Sequence, residues 1–205
     1  VKLIKNFLTI KYMKDFISFF ISTILITTIY IHFENKVKEV EYITSEVDNR
    51  DYLVQNHKDK KEAADLLATI RKNLISLMNE LKKTNKDQED VNRMINNFNP
   101  DNITETDKES KYTSYSINKG EKMVFCLRSR DEKNNLEELN TMMFVAIHEL
   151  AHTMTKSIGH TPEFWDNFRT LLKNARKLGI YKRVNYNESP KSYCGIKITD
   201  DPENF

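Results

Sequence analysis

Two cysteines, four glycines and four prolines are all that 205 residues contain of the types that cross-link a chain or break its regular structure. Cys126 and Cys194 are too few for a disulfide scaffold or a four-cysteine zinc site. So little Gly and Pro excludes collagen-like, linker-rich and Pro-rich disordered chains. Neither sign of charge dominates: 32 Lys and Arg stand against 30 Asp and Glu, for a net +2. A nucleic-acid surface needs a segregated basic excess, and the sequence offers no such footprint. The length suits one modest domain with an addition rather than two enzymes.

The apolar residues are unevenly spread. Phe16 to Phe33 reads FISFFISTILITTIYIHF, without a charge until Glu34. At about 1.5 Å per residue this run spans about 27 Å, close to the hydrocarbon thickness of a bilayer. Lys2, Lys5, Lys11 and Lys14 precede it, and only Lys36 and Lys38 come closely after. That asymmetry favours a cytosolic N-terminus and a single-pass membrane protein, with contact to the membrane through residues 16–33. A cleaved signal peptide and a buried soluble helix are the competing readings; no small-x-small cleavage site lies after the run.

Beyond the run the chain reads as helical and highly charged. Ala63, Leu67, Ile70, Leu74, Leu77 and Leu81 recur at alternating spacings of four and three, a seam of under three heptads. Val91, Met94, Ile95 and Phe98 form a second helical pulse that stops before Asn99-Pro100. So short a seam rarely stands alone in water, so these helices are expected to pack on the downstream domain, with a dimerising stalk as the alternative. The polar stretch from Asn99 to Lys111 marks a domain boundary. Tyr112 to Ile117, the turn Asn118-Lys119-Gly120 and Met123 to Leu127 form a hairpin candidate, and a helix begins near Leu136. The second of these strands is a candidate edge for adding an extended peptide, although an ordinary core strand fits as well.

That helix contains His148-Glu149-Leu150-Ala151-His152. Residues four apart lie on one helical face, so both imidazoles can reach one zinc ion. Glu149 is displaced around the helix by one position, which brings its carboxylate to a coordinated water without making it a ligand. His160 comes eight residues later, after Gly159, where the first helix is expected to end. Thr161-Pro162-Glu163 opens a second helix as N-cap, first-turn proline and first-turn acid. His160 therefore sits at a helix-to-helix corner and is the candidate third ligand. The remaining positions from Met142 to Ala151 are almost all apolar, so the helix is buried, and burying two histidines and a glutamate there is costly unless an ion pairs with them. His32 and His57 have no partner at ligand spacing and read as interface and surface residues.

The run HELAHTMTKSIGHTPEFW resembles the small zincin metalloproteases of the WLM and SprT-like groups, most closely the compact members encoded by large DNA viruses. The likeness extends from about Tyr112 to Ile198. It implies zinc at His148, His152 and His160, Glu149 as general base and acid, and a protein or peptide substrate. A viral or virion membrane is the implied location. Some family members act on proteins crosslinked to DNA, but the apolar run and the lack of a basic tail argue against that role here.

The expected architecture is α+β: a mostly helical, minimal zincin-like domain over residues 101–205 with a small antiparallel hairpin, preceded by a charged helical segment (34–100) and the anchor (1–33). Tyr181, Arg183, Tyr186 and Tyr193 are candidates for a second electrophile. Cys126 and Cys194 can pair in an oxidising compartment or remain as buried thiols. Two other function classes stay open: a membrane-tethered structural or virion protein with a zinc-stabilised fold, and a hydrolase of non-peptide amides.

Overall fold

The computed structural model describes residues 2–85 and 88–202, with side chains for 12–34, 39–85 and 88–202. The chain divides into two compact units, Val1–Val40 and Glu41–Phe205. The first unit is the long helix α1 (Lys2–Glu39). Within it Tyr12–Glu34 is long and apolar enough to cross a membrane, by length and composition, with mean hydropathy 1.9. The side chains from Tyr12 to Glu34 are all exposed, and Ser22, Thr23, Thr27 and Thr28 turn their hydroxyls back onto carbonyls three or four residues earlier. That bonding satisfies the hydroxyls within the helix. Lys2, Lys5, Lys11, Lys36 and Lys38, on which the expected orientation rests, lie outside the residues whose side chains are described.

The second unit mixes helices and small sheets. In chain order it has β1 (Val40–Thr44), β2 (Asp51–Gln55), α2 (Lys60–Thr84), α3 (Glu89–Asn97), β3 (Ile103–Glu105), β4 (Ser114–Ile117), β5 (Lys122–Phe125), α4 (Leu139–Met154), α5 (Pro162–Lys177), β6 (Lys191–Tyr193) and β7 (Ile196–Ile198). The seam from Ala63 to Leu81 is buried along α2, and it shares one hydrophobic core with Val91 and Met94 of α3, Phe125 of β5, and both α4 and α5. α4 is covered on all sides: twelve of its sixteen residues are buried. A helix apolar around its whole circumference has no solvent face to offer, so it becomes the centre about which the others pack.

The sheet differs from the expected hairpin in one respect that matters for the site. β3 pairs in parallel with β5, Ile103 opposite Met123, and β4 pairs antiparallel on β5's other side, Ser116 opposite Met123. The order β3-β5-β4 makes β5 the central strand and β3 and β4 the edges, so of the two readings of Met123–Leu127 the core strand holds and the candidate edge does not. β3 lies in the polar stretch 99–111. Its sequence, Ile-Thr-Glu, is too short to show a period, and its partner is about twenty residues away.

A buried ion network ties these pieces together. Arg128 Nε donates to Glu105 Oε1 at 2.9 Å and Nη1 to Asp59 Oδ1 at 2.6 Å, with the Arg128 and Glu105 side chains 4% and 0% exposed. Glu105 Oε2 accepts the Gln55 N–H at 2.7 Å, so one carboxylate joins β2, β3 and the segment after β5. Burial raises the Glu105 pKa, and the Gln55 amide and Arg128 oppose the shift. Replacing Arg128 by Met strands that carboxylate. We expect about 3–5 kcal/mol of lost stability in urea unfolding, largely recovered in the double variant Arg128→Met/Glu105→Leu. Two residues before Arg128, Cys126 is disulfide-bonded to Cys194, 68 residues on. Both cysteines are buried. The bridge fastens the β6–β7 hairpin to the end of β5.

Candidate metal centre

His148 and His152 project from one face of α4, and their Nε2 atoms lie 3.2 Å apart. α4 ends at Met154, and the loop 155–161 brings His160 back over them, its Nε2 at 3.1 Å from that of His148 and 3.2 Å from that of His152. Three ring nitrogens facing one another cannot all be satisfied by mutual hydrogen bonds, since each neutral ring offers either a proton or a lone pair there. A cation at the centre resolves the conflict. Ligands 2.0–2.1 Å from a tetrahedral zinc ion stand about 3.3 Å apart, and the triangle is close to that size. Among the described residues these three histidines are the group able to hold a metal ion.

The rings are held by packing. His152 stacks on Phe164 at 4.4 Å, and His148 meets the edges of Phe164 and Phe168 at 4.9 and 5.3 Å. Burial, and after it the neighbouring imidazoles, lowers the pKa of His148 to about 3. Burial, then His160 and Lys119, lowers that of His152 to about 4. Both rings are therefore neutral near pH 7, the form that binds metals. Glu149 is buried at 7% exposure, and the lost hydration pushes its carboxyl up to about 7 against an opposing hydrogen bond from the Ser116 main-chain N–H. That donor comes from β4, so the sheet's edge strand lies beside the candidate general base.

The first half of the loop carrying His160, residues 155–157, is tied down on both sides. Lys119, at positive φ in the β4–β5 turn, places Nζ 2.7, 2.9 and 2.9 Å from the carbonyls of Thr155, Lys156 and Ser157. An ammonium has three protons, and all three are used here at the carbonyl end of α4, where the helix dipole favours a cation. Arg93 of α3 caps the Met154 carbonyl at 2.6 Å. Glu163 takes the opposite role: it accepts from Ser157 Oγ at 2.7 Å and from the amides of Lys156 and Ser157 at 2.8 and 3.1 Å. Those bonds, the Ser157 hydroxyl foremost, pull its carboxyl down to about 2 and keep it ionised over the ordinary pH range. The helix it opens starts as the sequence implies: Thr161 caps, accepting from the Phe164 N–H at 3.4 Å, with Pro162 next.

Sequence reasoning names the three histidines and Glu149, and the fold brings all four together. It misses Ser116, Lys119 and the role of Glu163 as a loop anchor. A lysine in a turn carries no sequence signal of what its ammonium will reach. Of the four candidates for a second electrophile, Tyr193 lines the cleft with His148 and Glu149. Its hydroxyl lies 2.6 Å from Ser114 Oγ and donates to the Cys126 carbonyl at 2.9 Å, and burial raises its pKa. Tyr181 and Tyr186 pack around Phe144 at 6.1 and 4.7 Å, and Arg183 pairs with Asp201 at 2.8 Å. His57 lies apart from the three-histidine group, and His32 is on α1.

The chain is similar to several known proteins. The WLM domain family model matches residues 46–203. A protein of Acanthamoeba polyphaga mimivirus, uncharacterized protein R325, is 35% identical over 167 residues, covering 80% of this chain and 84% of the relative. Uncharacterized protein 136R of Invertebrate iridescent virus 6 is 24% identical over 181 residues, 85% of this chain and 95% of that one. Among solved structures, Wss1 from Saccharomyces cerevisiae is similar at 18% identity, covering 62% of this chain and 86% of that one, with a TM-score of 0.46.

Proposed function

The chain belongs to the WLM domain family, a metalloprotease-like family with the viral relatives just described, and on that premise we propose that it is a zinc-dependent peptidase tethered to a membrane. The observation that carries the reading is the convergence of three imidazole nitrogens to 3.1–3.2 Å beside a buried carboxylate on the same helix. In this reading residues 101–205 are a minimal zincin-like domain, 34–100 its helical support and 1–33 the anchor. The apolar length of Tyr12–Glu34 supports a single membrane crossing.

His148, His152 and His160 would hold the ion. A zinc held there would supply a Lewis acid for hydrolysis. Glu149 is placed to take a proton from a water beside it and to return it to the departing amine. The Ser116 N–H aims the carboxylate by bonding to it. β4 is the sheet edge at the site, so an extended substrate pairs with its main chain and lies across Glu149. Burial keeps the His148 and His152 nitrogens unprotonated near pH 7, and the apolar rings around them fix their direction.

The test uses the full chain in lipid nanodiscs. We expect about one zinc per chain and cleavage of a denatured protein. Chelation abolishes the cleavage and added zinc restores it. A folded chain that takes up no zinc overturns the reading. Zinc without protein hydrolysis, assayed beside peptidoglycan amides, leaves either a zinc-stabilised structural protein or an amidase.

A further inference from the structure

The β6–β7 hairpin forms one wall of the pocket that His148 and Glu149 open into, contributing Tyr193, Ile196, Lys197 and Ile198. Its two strands have three residues each and, among the described residues, pair only with one another. A two-stranded hairpin is marginal by itself in water, so this wall depends on what fastens it. Two fastenings meet at Cys126, the residue after β5. One is the disulfide to Cys194, at the turn of the hairpin. The other is a closed ring of hydrogen bonds through the neighbouring Tyr193. The Cys126 N–H donates to Ser114 Oγ at 3.2 Å, and the Tyr193 hydroxyl donates to the Cys126 carbonyl at 2.9 Å. The tyrosine proton is thereby committed, so Ser114 closes the ring by donating to Tyr193 Oη at 2.6 Å. Ser114 belongs to β4 and stands two residues before Ser116, whose N–H bonds Glu149. The latch and the candidate base thus hang on one strand. Other ties are a Cys194 N–H bond to Glu137 at 3.1 Å and an exposed Lys191–Glu138 pair at 2.9 Å.

We propose that this wall is a redox device: the closed disulfide holds the cleft ready for substrate, and its reduction loosens the wall and weakens substrate binding. The proposal rests on the peptidase reading and gives that site its regulation. The step is a thiol–disulfide exchange with a dithiol reductant. The reductant's thiolate attacks one sulfur, the Cys126–Cys194 bond breaks, and a mixed disulfide forms. The reductant's second thiolate then displaces the protein sulfur and closes its own disulfide. Two electrons and two protons pass to the protein, which ends with two thiols. The Arg128 carbonyl lies 3.3 Å from Cys126 Sγ and 3.0 Å from Cys194 Sγ, an acceptor that only protonated thiols can use. The dithiol form is therefore satisfied where it stands, and the domain keeps its fold while the wall loses its covalent tie. Both cysteines are buried, so exchange needs the hairpin to lift first, and a substrate lying against that wall opposes it. The metal centre is held by other elements, α4 and the loop tied by Lys119, Arg93 and Glu163. Disulfides persist in oxidising compartments and open where thiols are kept reduced, so the surroundings of the domain set the state of the cleft.

The sequence has two cysteines, so dithiothreitol has this one protein disulfide to act on. The full-length Glu149→Gln chain in nanodiscs, oxidised or reduced with dithiothreitol, is titrated with fluorescein-labelled casein and followed by anisotropy. Binding is expected to be at least ~5-fold weaker in the reduced form, within the usual range of coupling between linked equilibria. Saturating casein is expected to shift the disulfide-to-dithiol ratio in a dithiothreitol redox buffer by the same factor, because the coupling is reciprocal. In the zinc-loaded wild-type chain, reduction is expected to raise the KM for casein by that factor, with zinc content and kcat nearly unchanged, and reoxidation to restore it. The Cys126→Ser/Cys194→Ser chain is expected to stay at the weaker level and to ignore dithiothreitol, which also controls for zinc taken by the reductant. Equal casein binding by the two forms, or a disulfide whose reduction casein does not oppose, overturns the proposal while leaving the peptidase intact. Redox-dependent binding in a chain that hydrolyses nothing keeps the device and overturns the peptidase reading.

Discussion

Glu149→Gln is expected to lower the rate of peptide hydrolysis by about 10²–10⁴-fold with little change in zinc content or substrate affinity. The amide has the shape of the carboxylate and keeps an oxygen to accept the Ser116 N–H, so the edge strand and α4 stay in register. What it loses is the capacity to take a proton from the attacking water and give it back. The loss should therefore fall on kcat, with KM nearly unchanged. Single-turnover kinetics on the zinc-loaded variant, beside circular dichroism and metal analysis, check this. A variant retaining more than about a tenth of wild-type kcat would show that another group moves the proton.

His160→Ala is expected to have the second largest effect, and it acts on the metal rather than the proton. Partners that merely orient a ligand change metal affinity by about 10–100-fold, so removing a ligand should cost more than ~100-fold. Competition with a chromophoric chelator measures it. The ring is exposed on a surface loop, so the fold should survive the change. Lys119→Met makes a graded companion. It leaves all three imidazoles in place but frees the carbonyls of Thr155, Lys156 and Ser157, and zinc affinity is expected to fall within the ~10–100-fold range. An unchanged affinity in Lys119→Met would mean that Glu163 and Arg93 hold the loop without it.

The contrast between His160 and Lys119 marks what the sequence discloses. His148 and His152 are four apart on a helix, and His160 comes after a glycine and precedes a capping threonine, so their meeting is a matter of local geometry. The Ala63–Leu81 seam is legible for the same reason, because a helical period repeats within one element. Lys119 reaches α4 across 36 residues, and no local pattern records where a flexible side chain ends. The sheet order escapes a local reading because it turns on β3, three residues whose parallel partner lies beyond the intervening β4. The pocket wall is not legible at all. β6 and β7 are three residues each, and the Cys126–Cys194 bond that fastens them is one of two states two cysteines allow.

That bond also determines what becomes of the chain when it is cut. The 68-residue interval between the cysteines contains α4, α5 and all three histidines. On the peptidase reading the chain is exposed to attack by its own neighbours, and the exposed segment 187–190 just before the hairpin is the natural place for a nick. With the disulfide closed, a break there leaves the histidine-bearing fragment covalently joined to the C-terminal hairpin. The two pieces then part only under reduction, so a single internal cut need not dismantle the molecule.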